Sequence, residues 1–176
     1  MAFDYLDLYG RSSDWAVTKV QGAATKLDAP SPCEGWSVRT LLDHMLQTQR
    51  FFLAQACGEQ AELTPEPPAL ISDDPAGDFT EVRAEMLKAF GAPGVVDATG
   101  PMLGIAFSDL LLHGCDLARG SGQDDTMPAG LADAAYDTIH GRFTDEQRKG
   151  VFAPEVKVGD DASPQQRLLA YTGRQP

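Results

Sequence analysis

Three polar residues interrupt the apolar stretch FSDLLLHGCDLARG at 107–120, namely Asp109, His113 and Asp116. At about 100° per residue, separations of four and three return to one helix face, so the three fall within a sector of roughly 60°. Ile105, Ala106 and Leu117 flank that sector, which turns it toward the interior. A buried carboxylate without a partner costs several kcal/mol, and a buried imidazole still needs its ring nitrogens satisfied. Such a face requires a shared compensator.

A second oddity lies upstream. In SVRTLLDHMLQTQRFFLAQAC, residues 37–57, Val38, Leu41, Met45 and Phe52 define an apolar stripe. His44 sits at its border, about 60° from Leu41. One divalent metal held by His44, Asp109 and His113 would compensate both walls. Two imidazoles and one carboxylate form a ligand set that leaves positions open for water or substrate, and helix bundles build metal sites from facing helices in this way. Spacing alone leaves the alternative standing, a hydrogen-bonded core histidine, because D-x-x-x-H arises often by chance.

Other reactive side chains read as structural. Trp36 is expected to staple the entrance of the second helix, and Trp15, Phe51 and Phe52 to fill core or interface. Arg39 and Arg50 fall off the apolar stripe and should be solvated. Cys115 lies about 200° from His113 around the helix and is a poor ligand. Cys33, Cys57 and Cys115 have no C-x-x-C spacing, so they are expected as free thiols rather than a disulfide or thiolate zinc framework. No motif ties His140 to the other histidines.

The elements that must position these residues have helical periodicity, and no segment alternates as a half-buried strand would. The first helix spans about Asp4 to Leu27, with Gly10 and the SSD triplet predicted to break it and Ser12 or Ser13 to cap its second part. The second begins after the N-cap Ser37 and ends at Gly58. Residues 59–77, EQAELTPEPPALISDDPAG, hold four prolines and five acidic residues and are expected to form a mobile surface loop. A third helix runs from Asp78 to about Gly91. A turn-rich segment with a short extended piece at Val95 and Val96 is expected before a fourth helix from about Gly104 to Arg119. A fifth covers about Pro128 to Thr144, and a short C-terminal helix starts at Ser163 with Pro164 in its first turn.

The 176 residues fit one domain, 1–176, able to bury roughly 70% of the unfolded surface. The formal charge of −12, from 26 acidic against 14 basic residues, repels polyanions, so neither nucleic acid nor an anionic membrane is an expected partner. No run of about 18 apolar residues and no secretory leader pattern is visible, which points to the cytoplasm.

The motifs PCEGWSVRTLLDHML (32–46) and DLLLHGCDLARGSGQD (109–124), in this order, resemble the DinB-like superfamily. The likeness is closest to its branch containing the N-terminal domain of mycothiol-dependent maleylpyruvate isomerases and related actinobacterial metal-binding proteins. The ending FAPEVKVGDDASPQQRLLAYTGRQP is similar to the tail of that branch. The resemblance implies an all-α, up-down-down-up four-helix bundle with short additional C-terminal helices. It also implies one core metal, zinc or nickel, whose ligands fall on His44, Asp109 and His113. Many members carry His or Glu where this chain has the shorter Asp109, which leaves Asp116 as an alternative third ligand or as a partner that orients His113. The activity implied is thiol-dependent transfer or isomerisation on a small electrophile, with mycothiol as co-substrate. A hydrolytic variant would need Asp116 as its base. The rival class is a non-catalytic metal- or ligand-binding protein with a regulatory or stress role. Bundles of this type often dimerise, so a homodimer is the candidate assembly.

Overall fold

The computed structural model describes residues 3–176. It contains seven helices, α1 (Tyr5–Ala23), α2 (Val38–Ala56), α3 (Pro75–Phe90), α4 (Val95–Ser121), α5 (Leu131–Ile139), α6 (Asp145–Arg148) and α7 (Pro164–Tyr171), and no strand among the described residues.

Caps account for several boundaries. Ser37 accepts from the Thr40 N–H at the start of α2, and Ser163 caps α7, both at the predicted starts; Ser163 also exchanges hydrogen bonds with Gln166 in a reciprocal capping box. Asp74 caps α3 with Pro75 in its first turn, so that helix begins three residues before the expected Asp78. The predicted break in α1 does not occur. Ser12 and Ser13 are buried and return their hydroxyls to the carbonyls of Tyr9 and Gly10, so they are satisfied inside a continuous helix rather than serving as caps. Nor is there an extended piece at Val95 and Val96. α4 begins there, after Gly94 at φ +81°, and continues through Pro101. The proline deprives the Asp97 carbonyl of its helical partner, but Asp97 is exposed, so water can replace it. α5 is shorter than the predicted 128–144, and the single-turn α6, with its Thr144–Gln147 capping box, follows it.

Named contacts give the helix directions. Tyr5 packs at Gly104, Trp15 at Gly114, and the Lys26 ammonium donates to the Ser121 carbonyl, so α1 and α4 run parallel. Leu6 lies by Gly91, Leu87 by Gly10, and Arg83 donates to Ser13, which makes α3 antiparallel to α1. The Tyr9 hydroxyl donates to Gln49 Oε1 at 2.8 Å while the Arg39 N–H, at the start of α2, donates to the Leu27 carbonyl just past the end of α1, so α2 is antiparallel to α1 as well. The bundle is therefore up-down-down-up. A Cβ at Gly104 would stand 2.8 Å from Tyr5 Cε1, and one at Gly114 2.6 Å from Trp15 Cζ3, so both glycines permit the close approach of α1 and α4.

α4 contains an 18-residue window of mean hydropathy 1.4, apolar enough by length and composition to span a bilayer. In the fold it is the central helix, with Leu103, Phe107, Leu111 and Leu117 buried against α1, α2 and α5. The parallel α2 and α3 need a long crossover, residues 57–74. This strap is anchored rather than free. Asp43, itself buried, accepts from the Leu70 and Ile71 N–H groups at 2.6 and 2.8 Å, Gln47 donates to Thr64 at 2.7 Å, and Leu70 and Ile71 pack on the core. The composition of the strap disfavours helix, yet two apolar residues, the buried Asp43 carboxylate and Gln47 tie it to the bundle.

Candidate metal centre

The up-down arrangement sets the middle of α2 against the C-terminal half of α4. His44 thereby meets His113, with ring centroids 4.9 Å apart and planes nearly perpendicular. Asp109, one turn before His113, brings Oδ1 to 3.5 Å from His113 Nε2. One ligand atom from each of His44, Asp109 and His113 lies within 4.8 Å of the others, a spacing that a single ion could bridge. Two atoms of this group, His44 Nδ1 and Asp109 Oδ2, are buried without any hydrogen-bond partner. Unpaired buried polar atoms are costly and rare, so a group of the right charge placed among them would relieve both. The donor set thus fits a divalent cation.

Asp116 lies on the far side of His113. Its Oδ2 is 3.1 Å from His113 Nδ1, and Arg174 donates to it in a fork, Nε to Oδ1 at 2.9 Å and Nη2 to Oδ2 at 2.7 Å. The Cys33 thiol is 3.7 Å from Oδ2. Asp116 is thus engaged by Arg174 and His113 and stands outside the His44–Asp109–His113 group. With Nδ1 donating to Asp116, the other nitrogen of His113, Nε2, faces Asp109.

The electrostatics follow from this packing. Burial opposes the charge on His113, but Asp109 and Asp116 outweigh it and raise its pKa to about 10. Burial and the neighbouring His113 lower the pKa of His44, against the pull of Asp109. Burial also works against ionisation of Asp116, yet the hydrogen bonds from His113 and Arg174 hold its carboxyl well below the usual range. Without a metal, therefore, the site retains a proton between Asp109 and Asp116, which a cation could replace.

His44 and His113 of the group line a cleft of about 770 Å³ whose wall also includes Cys33, Trp36, Asp116, Arg119 and Arg174. The Trp36 ring lies 4.9 Å from the His44 ring and lines this cleft, a role beyond the expected helix staple. Arg39 and Arg50 are exposed. His140 stacks on Tyr136 and lies tilted against Tyr171, and it does not join the group. Cys115 is buried beside Asp125, its thiol pushed up to about 12 by burial. Arg174 and Cys33 escaped sequence reasoning. Neither belongs to a periodic face, and only the return of the chain's last residues onto α4 brings Arg174 to Asp116.

The family described as the mycothiol maleylpyruvate isomerase N-terminal domain matches residues 13–118, more than half of the chain and all three members of the buried group. The chain belongs to this family. Two relatives, both described as uncharacterized proteins of Mycobacterium tuberculosis, are 26% identical over 186 aligned positions that cover 97% of this chain and 98% of theirs. No solved structure matches the chain. Membership agrees with the all-α, DinB-like bundle and with a mycothiol-related, metal-binding family. Arg174, Val151 and the rest of the C-terminal part lie outside the matched residues.

Proposed function

We propose that this member of the family is a cytoplasmic, metal-dependent thiol transferase or isomerase in which His44, Asp109 and His113 hold one divalent ion, zinc or nickel. Mycothiol would be the thiol and a small electrophile the second substrate. The observation that carries the reading is the pair of buried, unpartnered atoms, His44 Nδ1 and Asp109 Oδ2, on residues whose ligand atoms cluster with those of His113.

A divalent ion bound there would lower the pKa of a thiol that joins it and present the thiolate to the electrophile. The chain's own residues prepare that event. Asp116 fixes the His113 ring through Nδ1, and Arg174 keeps Asp116 ionised so that it accepts rather than donates. Trp36 packs on His44 and restrains its ring. Asp116 suits a positioning role better than a basic one, because a carboxylate stabilised so strongly accepts a proton poorly. This weighs against the hydrolytic variant that would use it as a base.

The test begins with protein purified without a metal-affinity tag. Elemental analysis should find on the order of one zinc or nickel ion per chain, lost in His44→Ala and His113→Ala. Transfer of mycothiol to a small electrophile should be lost in the same variants. Absence of metal in the native protein, or activity unchanged by either substitution, would refute the proposal. Metal-dependent stabilisation without turnover across several thiols would assign the chain to the non-catalytic binders instead.

A further inference from the structure

His113, Val151 and Arg174 border two cavities, and the second differs in kind from the cleft. It is a slot of about 60 Å³ between α4, α5 and the segment around α6. Six apolar side chains line it, Ile105, Leu112, Ile139, Phe143, Val151 and Phe152, together with Ser108, Asp109, His113 and Arg174. An apolar cavity of roughly 150 Å³ accommodates benzene, so a slot of about 60 Å³ admits a shorter fragment, on the order of two to four carbon atoms.

A reaction between two substrates needs two approaches to one reacting centre. The cleft, with Cys33, Glu34, Arg119 and Arg174 on its wall, has the size and polarity for a hydroxylated or charged small thiol. The slot borders the same group at Asp109 and His113 and is closed to such a molecule by size. Resting on the proposed thiol-transfer reading, the geometry points to the slot as the electrophile's subsite, taking the short aliphatic end of a small electrophilic substrate. Phenyl-sized groups are excluded by volume. Ile139, Phe143, Val151 and Phe152 lie beyond residues 13–118, so the slot's dimensions belong to this chain rather than to the family's matched part.

Two bromides with the same chemistry and different carbon groups test this. With 1-bromopropane or benzyl bromide, a carbon–sulfur bond forms as the carbon–bromine bond breaks. Bromide leaves with the bonding pair, and the thiol proton passes to solvent. Relative to each uncatalysed rate, the metal-loaded protein should accelerate propyl transfer at least about tenfold more than benzyl transfer, the scale on which pockets discriminate by a few carbons. Ile105→Phe, which fills the slot from a half-buried position, should reduce propyl kcat/KM about tenfold or more, with metal content and the KM for the thiol unchanged. Ile139→Ala, which lengthens the slot, should shift the ratio toward benzyl. Xenon supplies a readout free of turnover. Under pressure it should move the methyl resonances of Ile105, Leu112, Ile139 and Val151 in the native protein, and leave the remaining ones unmoved in Ile105→Phe. Unmoved methyls in the native protein, or a propyl-to-benzyl ratio indifferent to both substitutions, would overturn the slot. Xenon occupancy with neither bromide turned over would uphold the slot as an apolar site and overturn the thiol-transfer reading.

Discussion

Replacing Asp116 by alanine should destabilise the metal-free fold more than replacing any of the three residues proposed as ligands, although Asp116 stands outside their group. Its side chain is 4% exposed and accepts from Arg174, whose own side chain is 19% exposed, and from His113. Removing the carboxylate leaves a guanidinium and an imidazole without their anion. Breaking a buried ion pair from one side costs about 3–5 kcal/mol. Arg174 borders the cleft and can swing into water, which places the expected loss at the lower end, about 3 kcal/mol. Because His113 also loses its orienting partner, affinity for zinc or nickel should fall about 10- to 100-fold. Urea denaturation of the metal-free protein measures the first quantity, and competition with a chromophoric chelator the second. Arg174→Ala should cost a similar amount of stability, since it strands a buried carboxylate, yet reduce metal affinity less because Asp116 still holds His113. The double variant should be less destabilised than the sum of the two singles. A loss below about 1 kcal/mol for Asp116→Ala, with metal affinity unchanged, would show that the carboxylate neither pairs with Arg174 nor orients His113.

Asp43→Ala should free the crossover strap by removing the acceptor of the Leu70 and Ile71 N–H groups. It is expected to cost about 1–3 kcal/mol and to open residues 57–74 to limited proteolysis; a protease-resistant strap would contradict the anchoring role. Removing the metal with a chelator should lower Tm by about 5–10 °C if the ion is normally present near 100 times its Kd, since about 2.7 kcal/mol of linkage is lost. A chelator-insensitive Tm would remove the metal from the account. Metal-free protein should lose stability with rising pH. His113 has a folded-state pKa raised to about 10, so its contribution is complete below about pH 6.5 and disappears as pH climbs toward 10, a change on the order of a few kcal/mol. Asp116, whose folded-state pKa is depressed, acts oppositely, contributing above about pH 4 and losing that contribution in strong acid. Denaturation midpoints between pH 5 and 10 check the sign, and a midpoint rising across the alkaline range would overturn it.

Much of the fold and part of the site could be read from residue order because they depend on local periodicity. Asp109 and His113 share a helix face by spacing alone, and His44 stands out against an apolar stripe on its own helix. Caps at Ser37 and Ser163 were legible for the same reason. Where tertiary packing overrides local preference, the reading failed. Gly10 and the two following serines look like a break, yet Gly10 lies against Leu87 and the serines find acceptors in the preceding turn. The prolines of the strap suggest freedom, while Asp43, on a different element, ties it down. Arg174 is separated from Asp116 by 58 positions, and no periodicity along the chain links two residues so far apart.

That separation bears on how activity is divided along the sequence. The matched region, 13–118, contains His44, Asp109, His113 and Asp116 and so contains the proposed metal group with its orienting carboxylate. The later part contributes Arg174, which holds that carboxylate, and four of the six apolar walls of the slot. Membership in the family therefore argues for the common centre, whereas the shape of what approaches it is set by residues that the match does not cover. Changes at Ile139, Phe143, Val151 or Phe152 should alter which electrophile is accepted without altering which ion is held. Changes at His44 or His113 should abolish both.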